Sequence, residues 1–310
     1  MMSTVEAAKE QMRRKSSCVG VVIVHYFRYD DLVDLLEQLG ADEMVEEANI
    51  VVCDNGSNPG EVEFLRAQYP AVKINRLSNI GYGAAANLGV SALSMRCNHV
   101  FVATHELKLE PGCLKILSGA LDRDERLGMA GPLLKRTDEP KVTWSAGGGV
   151  SRIRKMPYHR LGMTSDSTDC DWLDGSAIMF RRKAFEDLNG FADCFFLYFE
   201  DVELGLVANA MGWSVRCIAG AGAYQTPGGH LDHRLAVRNL AWTLRSRGYV
   251  IAYILWILEN TGRIVIGTVG KPRGALSRQR MRFGALLEAL RLPDELKSRR
   301  SSTTVKGVQL

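Results

Sequence analysis

Short apolar runs and longer stretches of helical spacing alternate over the first third of the chain. Residues 20–24 (GVVIV) are apolar and β-branched, the mark of a buried strand. Residues 30–39 follow, with Leu32, Leu35, Leu36 and Leu39 at helical spacing. A second buried strand at 50–53 runs into Asp54-Asn55-Gly56-Ser57-Asn58-Pro59-Gly60, a turn by composition. Residues 61–68 predict a helix, 72–74 a strand, the Ala-rich 83–95 a helix and 99–103 a fourth strand. Such alternation predicts βαβ units, hence an α/β fold with a Rossmann-like, mostly parallel sheet flanked by helices. Ligands of these sheets bind at the carboxyl ends of the strands. Three polar clusters follow predicted strands directly: Asp54-Asn55, the loop around Asn79, and Thr104-His105-Glu106.

Past Pro111 the pattern becomes mixed. Apolar pieces at 128–134, 178–180 and 214–218 alternate with Gly-rich loops at 146–149 and 226–230. Residues 200–211 read as a helix ended by Gly212, and from His233 onward the chain reads as helical. These shifts divide the chain into a polar tail (1–17), one large domain (18–240) and a helical, basic extension (241–310). The domain splits into a strand–helix part (18–112) and a mixed part (113–240).

Composition narrows the class. With 46% apolar and 24% charged residues the chain is an ordinary globular protein. Its formal charge of +4 is too mild to imply nucleic acid. The charge is uneven, though. From Lys271 onward ten Lys/Arg face three Asp/Glu, giving +7 and leaving −3 for the rest. This tail suits a solvated segment or one lying on anionic lipid; without interleaved aromatics other than Phe283 it does not suit single-stranded nucleic acid. The seven cysteines include no CxxC pair and several sit in apolar runs, which favours reduced thiols and a cytoplasmic site. Residues 1–17 lack the apolar core of a secretory signal. No run reaches the roughly 18 apolar residues of a spanning helix. The apolar decapeptide at 249–258 comes nearest, before Glu259, Asn260 and Arg263 interrupt it. With the basic tail it forms either a packed helical hairpin or a peripheral contact with a membrane's inner face.

Four motifs, in order, carry a family resemblance. They are Asp54-Asn55-Gly56-Ser57, the run from Asn79 to Gly89 (NIGYGAAANLG), the run from Thr104 to Gly112 (THELKLEPG), and the stretch around Phe196-Leu197-Tyr198-Phe199-Glu200-Asp201. Together they resemble family 2 glycosyltransferases of the GT-A fold, most of all the bacterial rhamnosyltransferase-like branch. The resemblance covers roughly two-thirds of the chain, from Val19 to Asn239. It implies an inverting, metal-dependent hexosyl transfer that serves cell-wall or polysaccharide synthesis. The donor it suggests first is deoxythymidine-diphosphate-rhamnose. A uridine-diphosphate hexose, hexofuranose or N-acetylhexosamine is the alternative donor, and a non-catalytic nucleotide-sugar-binding subunit the alternative role. The acceptor it implies is a hydroxyl of a glycan, a lipid-linked intermediate or a small molecule.

The resemblance also implies roles for residues. His25, Asp54, Asn55, Asn79, Gly81, Tyr82, Gly83, Asn87, Thr104 and His105 would contact the nucleotide sugar. A carboxylate such as Asp54 can accept from a uracil or thymine imide N–H, although a strand-end Asp also caps turns. Gly81 and Gly83 open a helix, where backbone N–H groups favour phosphate. Glu106 stands where the family has an acid that holds Mg²⁺ or Mn²⁺, and oxygen ligands suit either ion. The family's further metal-side His falls by eye near Gln225, with His230 five residues on; His230 is the better ligand by chemistry. Trp172, Asp174 and Gly175 match an acceptor-side loop. Asp201 would be the general base and Glu200 its support, although acids also favour helix N-termini. Arg238-Asn239 matches a family pair whose Arg either reaches a phosphate or forms a structural ion pair.

Overall fold

A computed structural model describes residues 18–163, 165–226, 231–268 and 275–305. The polar tail and His230 lie outside the described residues.

The expected alternation is present. β1 (Cys18–His25), α1 (Tyr29–Gly40), β2 (Ile50–Asp54), α2 (Pro59–Gln68), β3 (Lys73–Arg76), α3 (Tyr82–Ala92) and β4 (Cys97–Thr104) follow in order. β5 (Lys108–Leu109), α4 (Cys113–Arg123), β6 (Leu127–Arg136) and β7 (Thr143–Ser145) lead to a hairpin of β8 (Gly148–Val150) and β9 (Pro157–His159). Then come β10 (Ser167–Asp169), β11 (Ala177–Arg181), α5 (Arg182–Asp187), α6 (Glu200–Ala210) and β12 (Ser214–Gln225). Four helices close the chain: α7 (His233–Ser246), α8 (Val250–Thr268), α9 (Ala275–Ala289) and α10 (Asp294–Val305).

The main sheet runs β10-β12-β6-β11-β4-β1-β2-β3. β4, β1, β2 and β3 are parallel, as the βαβ pattern requires. Beyond β4 the sheet is mixed, because β11 pairs antiparallel with both β4 and β6 while β6 and β12 are parallel. Successive strand residues point to opposite faces, so β1 feeds two cores. Val21 and Ile23 meet the leucines of α1, and Val22 and Val24 meet Ala85, Ala86 and Val90 of α3. The Gly-rich 146–149 segment is not all loop, since Gly148 begins β8. There a Cβ would overlap the Trp172 indole, so glycine lets the strand lie against that ring.

The expected boundary at 240/241 falls inside α7, which is continuous from His233 to Ser246. The last helices also pack firmly onto α6. Glu203 of α6 is fully buried, with Arg247 at 3.6 Å and Arg299 of α10 at 3.7 Å. Breaking such a buried pair costs far more than removing it whole.

Candidate active site

Parallel pairing brings three strand ends together. His25 sits beside Asp54 in the β1–β2 register, and Val24 beside Thr104 in the β1–β4 register. Asp54 is fully buried; one oxygen accepts from the Ser57 N–H at 3.1 Å and the other is unpartnered. His25 is 1% exposed, and neither ring nitrogen has a partner. Burial, helped by the facing His105 ring at 5.0 Å, pushes His25 down to about 3, so it stays neutral. Buried polar atoms are nearly always paired, so these unpaired atoms keep free hydrogen-bonding capacity at the strand ends.

Four residues expected at the donor instead make close contacts within the protein. Asn55 donates to the Gly81 carbonyl at 3.2 Å and accepts from the Ile80 N–H at 2.9 Å, so it clamps the 79–81 loop. Asn87 donates to the Phe191 carbonyl and accepts from the Phe191 N–H, both at 2.9 Å, so it pins the chain before Glu200. Gly81 has φ +93°, and a Cβ there would overlap the Phe196 carbonyl; Gly83 abuts the Phe191 side chain. These glycines let α3 approach the 191–196 segment. Asn79 remains exposed on the rim, with φ +41°.

The second half of the cleft is built on the chain before α6. Phe196, Tyr198 and Phe199 have φ of 68°, 69° and 75°. Each such residue costs on the order of 1–3 kcal/mol, so the surroundings must enforce the shape. Asn239, fully buried, donates to the carbonyls of Phe195, Leu197 and Tyr198 at 3.1, 2.8 and 2.8 Å. Arg238 donates to the Phe195 carbonyl at 3.0 Å and lies over the Trp242 ring at 4.2 Å. The pair therefore braces this segment. The Glu295 carboxylate accepts from the N–H groups of Asp193 and Cys194, so α10 supports the same segment.

This frame aims Glu200 and Asp201 at the head of α6. Asp201 accepts from the Gly175 N–H at 3.0 Å and from the Val202 N–H at 2.7 Å. The Tyr82 hydroxyl donates to the Gly175 carbonyl, so one residue of the 174–176 loop is held from both sides. Asp174 accepts from the Trp144 indole at 3.0 Å and from the Ser176 N–H at 2.9 Å. Trp172 is 5% exposed, bonded to the Gly149 carbonyl and edge-on to His159 at 4.9 Å, so it forms a wall and offers no open stacking face. Thr104, His159, Asp174, Tyr198, Glu200, Asp201 and Gln225 all line this one cleft.

Burial raises Glu200 to about 8, with Asp201 adding to it, and raises Asp201 to about 7, with Asp174 adding to it. Burial likewise holds the Tyr82 phenol well above its usual range, so it stays a neutral donor. A raised carboxyl pKa means that the native state keeps protons the unfolded chain releases. Stability therefore falls as pH climbs from about 4 to about 8. Glu200→Gln is expected to stabilise the fold by roughly 2 kcal/mol or more at about pH 8, and little at about pH 4. Thermal unfolding across that range checks the sign.

Opposite lies Glu106. One oxygen accepts from the Gln225 amide at 2.8 Å, and the other is 3.4 Å from His105 Nε2. Gln225 Oε1 and Thr104 Oγ1 are buried without hydrogen-bond partners. Among the described residues no three His, Cys, Asp or Glu side chains form a metal cluster. The oxygen-rich pair Glu106 and Gln225 nevertheless fits Mg²⁺ or Mn²⁺, which take one or two protein oxygens and fill their shell with phosphate and water. Gln225 and His105 are described residues that meet Glu106; His230, the ligand preferred by chemistry, lies outside the described residues. Sequence reasoning also missed Trp144, His159 and the bracing role of Asn239. All three act across long sequence separations, and no local pattern marks them.

The family model for glycosyl transferase family 2 matches residues 20–188, more than half the chain. The protein is a family 2 glycosyltransferase. This glycosyltransferase is 27% identical over 274 residues to N-acetylglucosaminyl-diphospho-decaprenol L-rhamnosyltransferase of Mycobacterium tuberculosis. That match covers 77% of this chain and 88% of the relative. GalNAc-T7, solved with UDP, GalNAc and Mn²⁺, superposes with a TM-score of 0.58 at 11% identity, over 87% of this chain and 55% of that longer one. A Pyrobaculum calidifontis mannosyltransferase, solved with GDP-Man and Mn²⁺, gives 0.52 at 14% identity, over 93% and 86%. At such identities the superpositions establish the GT-A fold and nothing finer.

Proposed function

We propose that this glycosyltransferase moves rhamnose from deoxythymidine-diphosphate-rhamnose to a hydroxyl of a lipid-linked glycan, with inversion, in cell-wall or polysaccharide synthesis. One arrangement carries the proposal. Asp201 is fixed by two backbone N–H groups at the head of α6 and lines one cleft with Gln225, whose amide donates to Glu106. The named Mycobacterium tuberculosis relative supports the choice of donor and acceptor.

The residues divide the work. The free Asp54 oxygen accepts from the thymine imide N–H, and His25 packs beside it. Glu106 and Gln225 would hold the divalent cation. Bound there, Mg²⁺ or Mn²⁺ neutralises charge on the departing diphosphate. Asp174 and His159 orient the acceptor. Asp201 takes the proton of the acceptor hydroxyl as that oxygen bonds to the anomeric carbon. The bond from that carbon to the diphosphate breaks on the opposite face, which inverts configuration. Glu200, protonated near neutral pH, keeps a second negative charge away from Asp201.

Transfer tests the proposal directly. Purified protein with Mn²⁺, the donor and a polyprenyl-diphosphate N-acetylglucosamine acceptor is expected to release deoxythymidine diphosphate and form a rhamnosylated lipid. Product formed only from a uridine-diphosphate sugar would overturn the donor assignment. Glu106→Gln is expected to weaken Mn²⁺ binding in the presence of donor on the order of tenfold or more, measured by titration calorimetry. Unchanged Mn²⁺ affinity would remove Glu106 from the metal site.

A further inference from the structure

α8 has a buried face and an unusually apolar exposed one. Ala252, Trp256 and Asn260 point inward. Val250, Ile251, Ile254, Leu258 and Val265 are each at least half exposed and recur at helical spacing along the outer side. Beside the start of α8 lies the β8–β9 tip, residues 151–156, where Arg152, Ile153 and Lys155 share a depression with Tyr249 and Ile251. The tip is fastened there. Arg154 pairs with Glu259 at 2.7 Å, and the Lys155 ammonium lies 5.0 Å from the Tyr249 ring centre. Ile153 is 66% exposed.

The charge around this stripe has one dominant sign. Residues 150–159 and 250–268 hold Arg152, Arg154, Lys155 and Arg263 against the single acid Glu259. An aliphatic stripe set among cations complements an anionic lipid headgroup layer over an acyl core. Pairing with a second copy would bring two positive faces together and is disfavoured. Among the described residues no helix is long and apolar enough to cross a membrane, so attachment through this face would be peripheral. The same hairpin also continues into the active site, where Met156, Pro157, Tyr158 and His159 line the cleft of Asp201.

We propose that the β8–β9 tip and the outer side of α8 dock on an anionic phospholipid bilayer, presenting the cleft to an acceptor held in that bilayer. The proposal deepens, and for its purpose rests on, the lipid-linked-acceptor reading. It adds the β8–β9 hairpin to the apolar 249–258 stretch, which the sequence offered together with the basic tail as a membrane contact.

Flotation of the full chain with vesicles tests it. Wild type is expected to float with vesicles of equal parts phosphatidylglycerol and phosphatidylcholine, in a salt-sensitive way, and not with phosphatidylcholine alone. Arg152→Glu with Lys155→Glu is expected to weaken binding on the order of 25-fold or more, at about fivefold for each cation lost. Ile251→Ser with Ile254→Ser should weaken it with less salt sensitivity. Phe283→Ser with Leu287→Ser, on the exposed stripe of α9, should leave binding unchanged. All replaced side chains lie at the surface, so an unchanged thermal midpoint confirms folding. Transfer to a water-soluble short-chain acceptor should persist in the hairpin and α8 variants, while transfer to the vesicle-borne acceptor falls. Vesicle binding without any transfer would sink the lipid-acceptor reading and leave the docking face standing. Full binding by the hairpin and α8 variants, loss through the α9 variant, or self-association through this face without vesicle binding would each overturn the docking proposal.

Discussion

Asp201→Asn is expected to lower kcat about 10²- to 10⁴-fold, the range a positioned general base supplies, while donor affinity is kept. The amide is isosteric, and with its single oxygen turned to the Gly175 N–H it keeps the bond to the 174–176 loop while the Val202 N–H loses its partner. Donor contacts proposed at Asp54 and His25 lie at the ends of β2 and β1, on other elements. The pH profile adds a second signature. Burial and the Asp174 charge raise Asp201 to about 7, so its basic form grows as pH climbs through that value. Below about pH 7, kcat/KM should fall close to tenfold per pH unit. Glu200 sits higher, at about 8, and the two protons leave as a coupled pair with two apparent values. Removing the base should flatten the lower limb. An Asn variant that keeps wild-type kcat, or keeps the acid limb, would assign the base to another group.

The parallel half of the fold and three of the polar strand ends were legible in the sequence. β-branched runs, helical spacing and a turn-rich cluster are local signals, and Ile50–Asp54 or Tyr29–Gly40 need no distant partner to be read. Asp54 and Glu106 stand out as candidates because strand ends of a βαβ sheet converge by topology. The failures have a shared physical cause. Asn55, Asn87, Gly81 and Gly83 are polar or small residues in the right loop, and the sequence does not show whether such a residue turns to a ligand or to its own chain. Here the 191–196 segment, more than a hundred residues after Asn87, takes up its hydrogen bonds. Beyond β4 the antiparallel insertion of β11 between β4 and β6 has no local mark either. Arg238-Asn239 was read as an open choice, and only the folded chain reveals which carbonyls Asn239 faces.

Asn239→Ala tests whether that bracing matters to catalysis. The side chain supplies two N–H groups to three carbonyls, Phe195, Leu197 and Tyr198, and is itself fully buried. A carbonyl left unpaired in such a place costs about 1–3 kcal/mol, so the variant should lose roughly 3–5 kcal/mol of stability. The freed segment carries three non-glycine residues at positive φ, directly before Glu200 and Asp201. With the brace gone these residues can relax toward ordinary backbone, and the head of α6 shifts with them. A misplacement of about 1 Å costs on the order of 100-fold in rate, so kcat should fall by roughly that factor while the donor KM changes little. Loss of stability alone would not produce this split. Leu36→Ala, on the buried face of α1 and outside the cleft lining, is the comparison; it should cost about 2–5 kcal/mol yet leave kcat per folded molecule unchanged. If both variants lose activity only in step with the unfolded fraction, Asn239 holds the fold and does not position Asp201. If Asn239→Ala loses kcat at temperatures where it is fully folded, the strained approach to α6 is held for the sake of the carboxylate at its end.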